Sequence, residues 1–342
     1  MHIKRQSKKG TLLKPEVLQE PVLYKENPHA VKEVQNSEKH ALRMLFRKPG
    51  NVVKSKIKPY LYTSTAGILF GTSGFFVANM HGMNPIEIAA ITSAFSSTAF
   101  GIGMLATKKK FKVNDWKSLS VAGLSQAVST PLFFGAISAG AKIGEATLLS
   151  ATSYAFSMVF SSVLLKEKPD KISIGAMIAS FVGAGLILQP TSMPNPADLL
   201  ALASGLSYGL TFVSIRKSQK SNNDMATTMG LLSIPAIVLG PLSLINPTMP
   251  SISALGLMSG LSVSAYLIPQ NMLTKGLTSL QVNDSGAPLL LEPLSATVIG
   301  YVALGQTMGI LQIVGGSVIV GSTLALMAIR NKKELPPGND AD

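Results

Sequence analysis

Residues 287–304 read "APLLLEPLSATVIGYVAL". One carboxylate, Glu292, stands in an apolar run longer than most soluble helices need, and Pro293 follows it at once. The fold turns on which solvent this run meets. Charged residues make up 14% of the 342 and hydrophobic residues 46%, whereas soluble domains carry roughly 25% charged residues. The composition therefore points to a bilayer, where the unit to count is a stretch of about 20 apolar residues.

About ten such stretches fit, over 60–80, 86–107, 117–140, 144–165, 171–190, 197–216, 225–245, 252–275, 280–304 and 309–330. Short polar or proline-rich joints such as "HGMNP", "KEKPDK" and "NPTMPS" separate them. Lipid offers the backbone no hydrogen bonds, so the spans must be helices. The formal charge of +13 would suit a nucleic-acid binder, but its placement argues otherwise. Residues 1–58 hold 14 of the 30 Lys and Arg, and the loops reached after every second crossing, with the C-terminus, hold another 15; Lys142 alone falls on the opposite side. That asymmetry follows the positive-inside rule and places both termini in the cytoplasm.

The tail shows no apolar leader core near its start, so no cleaved leader is expected. Val31, Val34, Leu42, Leu45 and Phe46 alternate with basic residues at roughly helical spacing. An interfacial amphipathic helix and a disordered basic tether both fit. No cysteine is present, which excludes thiolate and disulfide chemistry.

Sliding the chain on itself by 138 residues lays Gly67 and Gly71 over Gly205 and Gly209, Phe70 over Tyr208, and Pro131 over Pro269. One residue further on, Glu145 meets Asp284 and Glu167 meets Gln306. Five spans per half is an odd number, so the second half enters from the opposite face and the repeat is inverted. This is a build of secondary transporters, whose halves exchange conformations. Close helix packing is the competing explanation for the glycines.

Two stretches, "LLKEKPDKISIGAMIASFVGAGLIL" (164–188) and "LLLEPLSATVIGYVALGQTMGILQIVGGSVIVGSTLAL" (289–326), resemble the last two helices of the EamA repeat in the drug/metabolite transporter superfamily. The resemblance covers roughly 60–330. It departs from the pattern where Ser153-Tyr154 replaces the Glu-Pro pair in the first half and Gln306 replaces the turn glutamate in the second. It implies an all-α polytopic membrane protein of about ten transmembrane helices in two inverted five-helix repeats. The expected organisation is a basic cytoplasmic tail (1–58), repeats over 59–190 and 196–330, and a C-terminal tail (331–342).

Acidic residues at predicted helix starts, Glu87, Asp198 and Asp224, read as capping and dipole partners. Glu292 lies mid-span, where an ionised carboxylate costs on the order of 3 kcal/mol. It must face a polar cavity, find a partner or carry a proton. It could equally hydrogen-bond a backbone carbonyl that Pro293 leaves free. Pro131 and Pro269 mark the third span of each half as candidate interrupted helices at a central site. Gln126 and Thr130 lie near one, Tyr266, Gln270 and Asn271 near the other. A plain proline kink is the competing reading at each.

Only four histidines occur, three of them in the tail, and none has a metal-ligand spacing. No Gly-x-x-x-x-Gly-Lys-Ser/Thr loop is present. Neither an enzyme, a metal site nor a cofactor is expected. The leading expectation is a secondary transporter of a small organic metabolite in the plasma (inner) membrane, proton- or exchange-coupling being open. The alternative is a structural or lipid-scrambling protein. The expected partners are a small-molecule substrate and the lipid bilayer, with a homodimer admitted and nucleic acid excluded.

Overall fold

The computed structural model describes residues 49–108, 110–141, 143–188, 196–304 and 309–333. The tail with its two readings, Gln306 and both termini lie outside the described residues, as does the side chain of Glu145.

Every regular element among the described residues is helical. The first half comprises α1 (Pro49–Phe70), α2 (Ser73–Ala78), α3 (Pro85–Ala106), α4 (Trp116–Ser138), α5 (Ile143–Ala151), α6 (Ser153–Leu164) and α7 (Lys171–Leu188). The second comprises α8 (Pro196–Gln219), α9 (Asp224–Ser243), α10 (Ile252–Gly260), a π-helical segment (Leu261–Leu267), α11 (Ile268–Ser279), α12 (Val282–Leu289), α13 (Leu291–Leu304) and α14 (Ile310–Lys333). Local chemistry sets several starts. Asn84, Asp115, Asn223 and Ser251 each accept a backbone N–H of the following turn through their side chains, which satisfies a donor the helix itself leaves open. Glu87 does more than complement a dipole: its carboxylate accepts from the backbone and hydroxyl of Thr248, tying α3 to the loop after α9.

Eight described helical stretches are long and apolar enough to cross a membrane; Lys171–Leu186 and Ile313–Ile329 are shorter apolar helices at the places of the fifth and tenth expected spans. Polarity runs opposite to that of a soluble bundle. Leu105, Val163, Ile237 and Val302 face outward, whereas Ser96, Ser161, Ser180, Ser204, Thr211 and Thr227 are buried between helices. In lipid, small polar residues let backbones approach and hydrogen-bond across seams; Ser180 and Ser322 do so at 2.6 Å between α7 and α14.

The two halves pack through each other. α3 lies on α9, α7 on α14, and α4 on α8. A Cβ at Gly67 would meet the carbonyls of Pro288 and Leu289, and one at Gly205 those of Leu149 and Ser150. At Gly71 it would meet the Glu292 carbonyl and the Ala296 nitrogen, at Gly209 the Ser153 carbonyl and the Ser157 nitrogen. The first span of each half thus packs on the broken span of the other through its glycines, in the register that sets Ser153-Tyr154 opposite Glu292-Pro293. Those broken spans are interrupted at matching places, Thr152 and Leu290.

The proline-bearing third spans differ. α4 runs unbroken through Pro131, because one missing N–H removes one ladder bond and the neighbouring bonds carry the helix on. Ahead of Pro269 the helix widens into the π-helical segment, a distortion found often at functional sites.

Candidate functional site

A cavity of about 60 Å³ lies where α1, α2, α4, α5, α8, α11, α13 and the π-helical segment converge. That is room for a few waters, well below the 300–1,000 Å³ of a typical small-molecule pocket. Glu292, Gln270, Tyr266, Gln126 and Thr130 all line it. Asn271, half-buried, is not among the lining residues, since the turn that aims Gln270 inward rotates its neighbour away. Pro131, Pro269 and Pro293 shape the backbone behind the lining rather than the surface itself.

A polar thread crosses the cavity from one half to the other. The Gln270 amide donates to Gln126 Oε1 at 3.1 Å and faces the Tyr208 hydroxyl at 3.5 Å, and the Gln126 amide donates to Thr130 Oγ1 at 2.9 Å. Ser93 donates to the Tyr266 hydroxyl at 3.4 Å. Ser129 and Ser204 bond side chain to side chain and side chain to backbone, closing the α4–α8 seam. Gln270 is fully buried, yet its Oε1 accepts no hydrogen bond from any described residue.

Glu292 occupies the first turn of α13, directly after the break at Leu290. Pro293 there has no N–H for the Leu289 carbonyl four residues back. Tyr154 reaches that place from α6. Its hydroxyl lies 2.8 Å from Glu292 Oε2 and 3.3 Å from Leu289 O. Tyr154, which stands where the first half lacks a Glu-Pro pair, is therefore within reach of both the Glu292 carboxyl and the carbonyl that Pro293 leaves open.

Reading the sequence singled out the polar residues around the two prolines and missed the aromatic wall. Phe70, Phe133, Phe134 and Tyr208 line the cavity, and Tyr208 packs with its ring tilted against Phe212, which meets Tyr154 in turn. One signal for it was present: Phe70 and Tyr208 coincide in the repeat, and their rings meet edge to face at 6.2 Å across the interface between halves.

At the end of the bundle that carries the basic loops lies a cluster of charge. Glu167 pairs with Arg216 at 3.3 Å and Lys220 at 3.7 Å. Arg216 Nη1 also donates to the carbonyls of Leu277 and Thr278 at the end of α11, where a cation complements the helix dipole. Asn283 donates to the Glu167 carbonyl at 3.0 Å and accepts from Ser161.

The family model described as "EamA-like transporter family" matches residues 57–189 and again 195–328. The chain belongs to that family. Among curated proteins it is similar to an uncharacterized transporter of Archaeoglobus fulgidus, 27% identical over 164 residues, 48% of this chain and 59% of the relative's length. It is also similar to the uncharacterized transporter YwfM of Bacillus subtilis (strain 168), 24% identical over 288 residues covering 80% of this chain and 95% of the relative. A crystal structure superposes with a TM-score of 0.68 at 16% identity, covering 81% of this chain and 99% of its own, a likeness of fold. Membership and the membrane-length helices make this an integral multi-pass membrane protein of a transporter family.

Proposed function

We propose that the protein is a secondary transporter that carries a small organic solute through the central cavity by alternating access, with Glu292 as the group that meets a proton or a cation. The observation that carries this reading is the pairing of a polar cavity at the junction of two repeats with closure by charge at one end. The cavity lies toward the end of the bundle opposite the basic loops, bounded there by Phe134 and Ser150, while Glu167, Arg216 and Lys220 hold the basic end shut. A room for a few waters is too small for an organic solute. Helices must part to admit one, and the repeat supplies two mirrored ways of parting them.

The hydrogen bond from Tyr154 bears on the role of Glu292. Were the carboxyl needed only to satisfy the carbonyl freed by Pro293, no other donor would stand there. Tyr154 stands there already, 3.3 Å from Leu289 O. With one proton to give, its hydroxyl serves the Glu292 carboxylate while that group is charged and turns to Leu289 O once Glu292 carries its own proton. In this reading both termini face the cytoplasm of the plasma (inner) membrane, an orientation that the distribution of basic residues supports.

The test is counterflow into proteoliposomes of purified full-length protein, using a panel of amino acids, nucleosides, sugars and polyamines. At least one member should enter saturably and exchange with its unlabelled form. A lipid scrambler or structural protein would leave every member equilibrating no faster than in empty vesicles.

A further inference from the structure

The cavity carries an unbalanced set of groups. It holds one acidic side chain, Glu292, and among its described lining residues no Lys, Arg or His. The single buried acceptor left open there, Gln270 Oε1, has the same polarity as the carboxylate: it asks for a donor. Five rings enclose the space, among them Phe70, Phe134, Tyr208 and Tyr266, and the faces of aromatic rings attract cations. The Gln270 amide N–H groups are turned away onto Gln126 and Tyr208, and Tyr154 gives its proton to Glu292 or the backbone. The donors left in the cavity are neutral hydroxyls, among them those of Tyr208 and Tyr266, which bring no positive charge to an anion, while the Glu292 carboxylate and Gln270 Oε1 are acceptors.

Resting on the transport reading above, we infer that the solute is an organic amine carried as its ammonium form on an apolar or aromatic body, the ammonium meeting Glu292 and Gln270 Oε1 and the body lying against the rings. A carboxylic acid or a phosphate ester would bring negative charge to Glu292 with no cation lining the site to offset it. A zwitterion would leave its carboxylate without a charged partner. The preferred class is thus a monocationic amine without an acid group.

Three probes of nearly one size separate charge from shape: phenethylamine, phenethyl alcohol and phenylacetate. Binding of each to the purified full-length protein at neutral pH gives the result directly. The amine should bind about tenfold or more tighter than the alcohol, because it adds a charge-assisted hydrogen bond and a cation–ring contact, and phenylacetate should bind more weakly than either. Glu292→Gln should bring the amine to the affinity of the alcohol and leave the alcohol unchanged. Gln270→Leu, which removes the open acceptor without touching charge, should weaken the amine more than the alcohol. The wild-type series decides even where a variant fails to fold. Phenylacetate binding as tightly as the amine, equal affinity for all three, or no amine binding up to millimolar concentration overturns the inference. The two readings fail separately: saturable counterflow with anion-preferring binding removes the amine and keeps the transporter. Amine-selective binding with no counterflow of any solute keeps the site and removes transport.

Discussion

The two halves of the molecule share a frame and differ in chemistry. Gly67 and Gly71 pack on the broken span of the second half as Gly205 and Gly209 pack on that of the first, and the breaks at Thr152 and Leu290 correspond. Within that frame the first half sets Ser153 and Tyr154 where the second sets Glu292 and Pro293, and Phe70 where the second sets Tyr208. The third span is a continuous helix in one half and π-distorted in the other. The proposed transport cycle requires two conformations to share their packing contacts, which accounts for the repeated glycines. In the proposed cycle a single titratable group suffices for one coupled event, and a second buried carboxylate would add a desolvation cost and repel the first.

This contrast is sharpened most by substituting the paired residues at the centre. Glu292→Gln keeps size and hydrogen bonding while removing titration, so uptake at matched membrane expression should fall by at least about tenfold, and the remaining activity should lose its pH dependence. Tyr154→Phe removes one donor from the same contact and should lower uptake only a few-fold. Equal losses from the two would mean that the halves contribute alike and would break the asymmetry.

The shared frame predicts a different pair of outcomes. An added Cβ at Gly71 falls 2.5 Å from the backbone oxygen of Glu292, while at Gly209 the nearest atom, Phe156 Cβ, is 2.8 Å away. Overpacking costs about 1–3 kcal/mol, so both Gly71→Ala and Gly209→Ala should lower the apparent melting temperature of the purified protein, Gly71→Ala by more. A neutral result at either position would show that its contact with the other half is dispensable.

The smallest effects are expected at the caps of the third spans. Asp115 caps α4 and Ser251 caps α10, so replacing either with Ala should cost about 1 kcal/mol. They differ in acid. The hydrogen bonds from Ser118 hold the Asp115 carboxyl below the usual aspartate value. A lowered folded value stabilises above the ordinary aspartate range and is lost as pH falls through it toward that lowered value. Thermal scans of wild type, Asp115→Asn and Ser251→Ala at neutral and acidic pH should show an acid-sensitive increment that Asp115→Asn alone lacks.

Much of the frame could be read from residue types. Helix class, repeat offset and glycine seams follow from hydrophobic run length and spacing, which lipid enforces on sequence directly. The site was partly legible for the same reason: buried Gln126, Gln270 and Glu292 are costly in an apolar run and stand out against it. The aromatic wall did not stand out, because Phe70, Phe133 and Phe134 are ordinary lipid- or core-facing residues until their neighbours are known. Glu167 was legible as a turn residue but its partners were not. Arg216 and Lys220 follow it by 49 and 53 positions, and only the meeting of α6 with α8 brings them within 4 Å. The difference between a kinked and a widened helix at Pro131 and Pro269 depends on what surrounds each proline, which local sequence does not encode.

The central claim, that the two ends open alternately around one cavity, is tested most directly by thiol accessibility, since the native chain has no cysteine. Ser73→Cys reports the cavity and Ser161→Cys reports the end closed by Glu167 and Arg216, each labelled with a membrane-impermeant reagent from either side. In the otherwise native protein the Ser73 position should react from the outside at the rate at which the helices part there, and the Ser161 position should be protected from the cytoplasmic side. Adding Arg216→Ala releases Glu167 and the end of α11, so labelling at Ser161 should rise while labelling at Ser73 falls in step. Labelling that rises at both positions together would describe a channel and contradict the account, as would labelling that changes at neither.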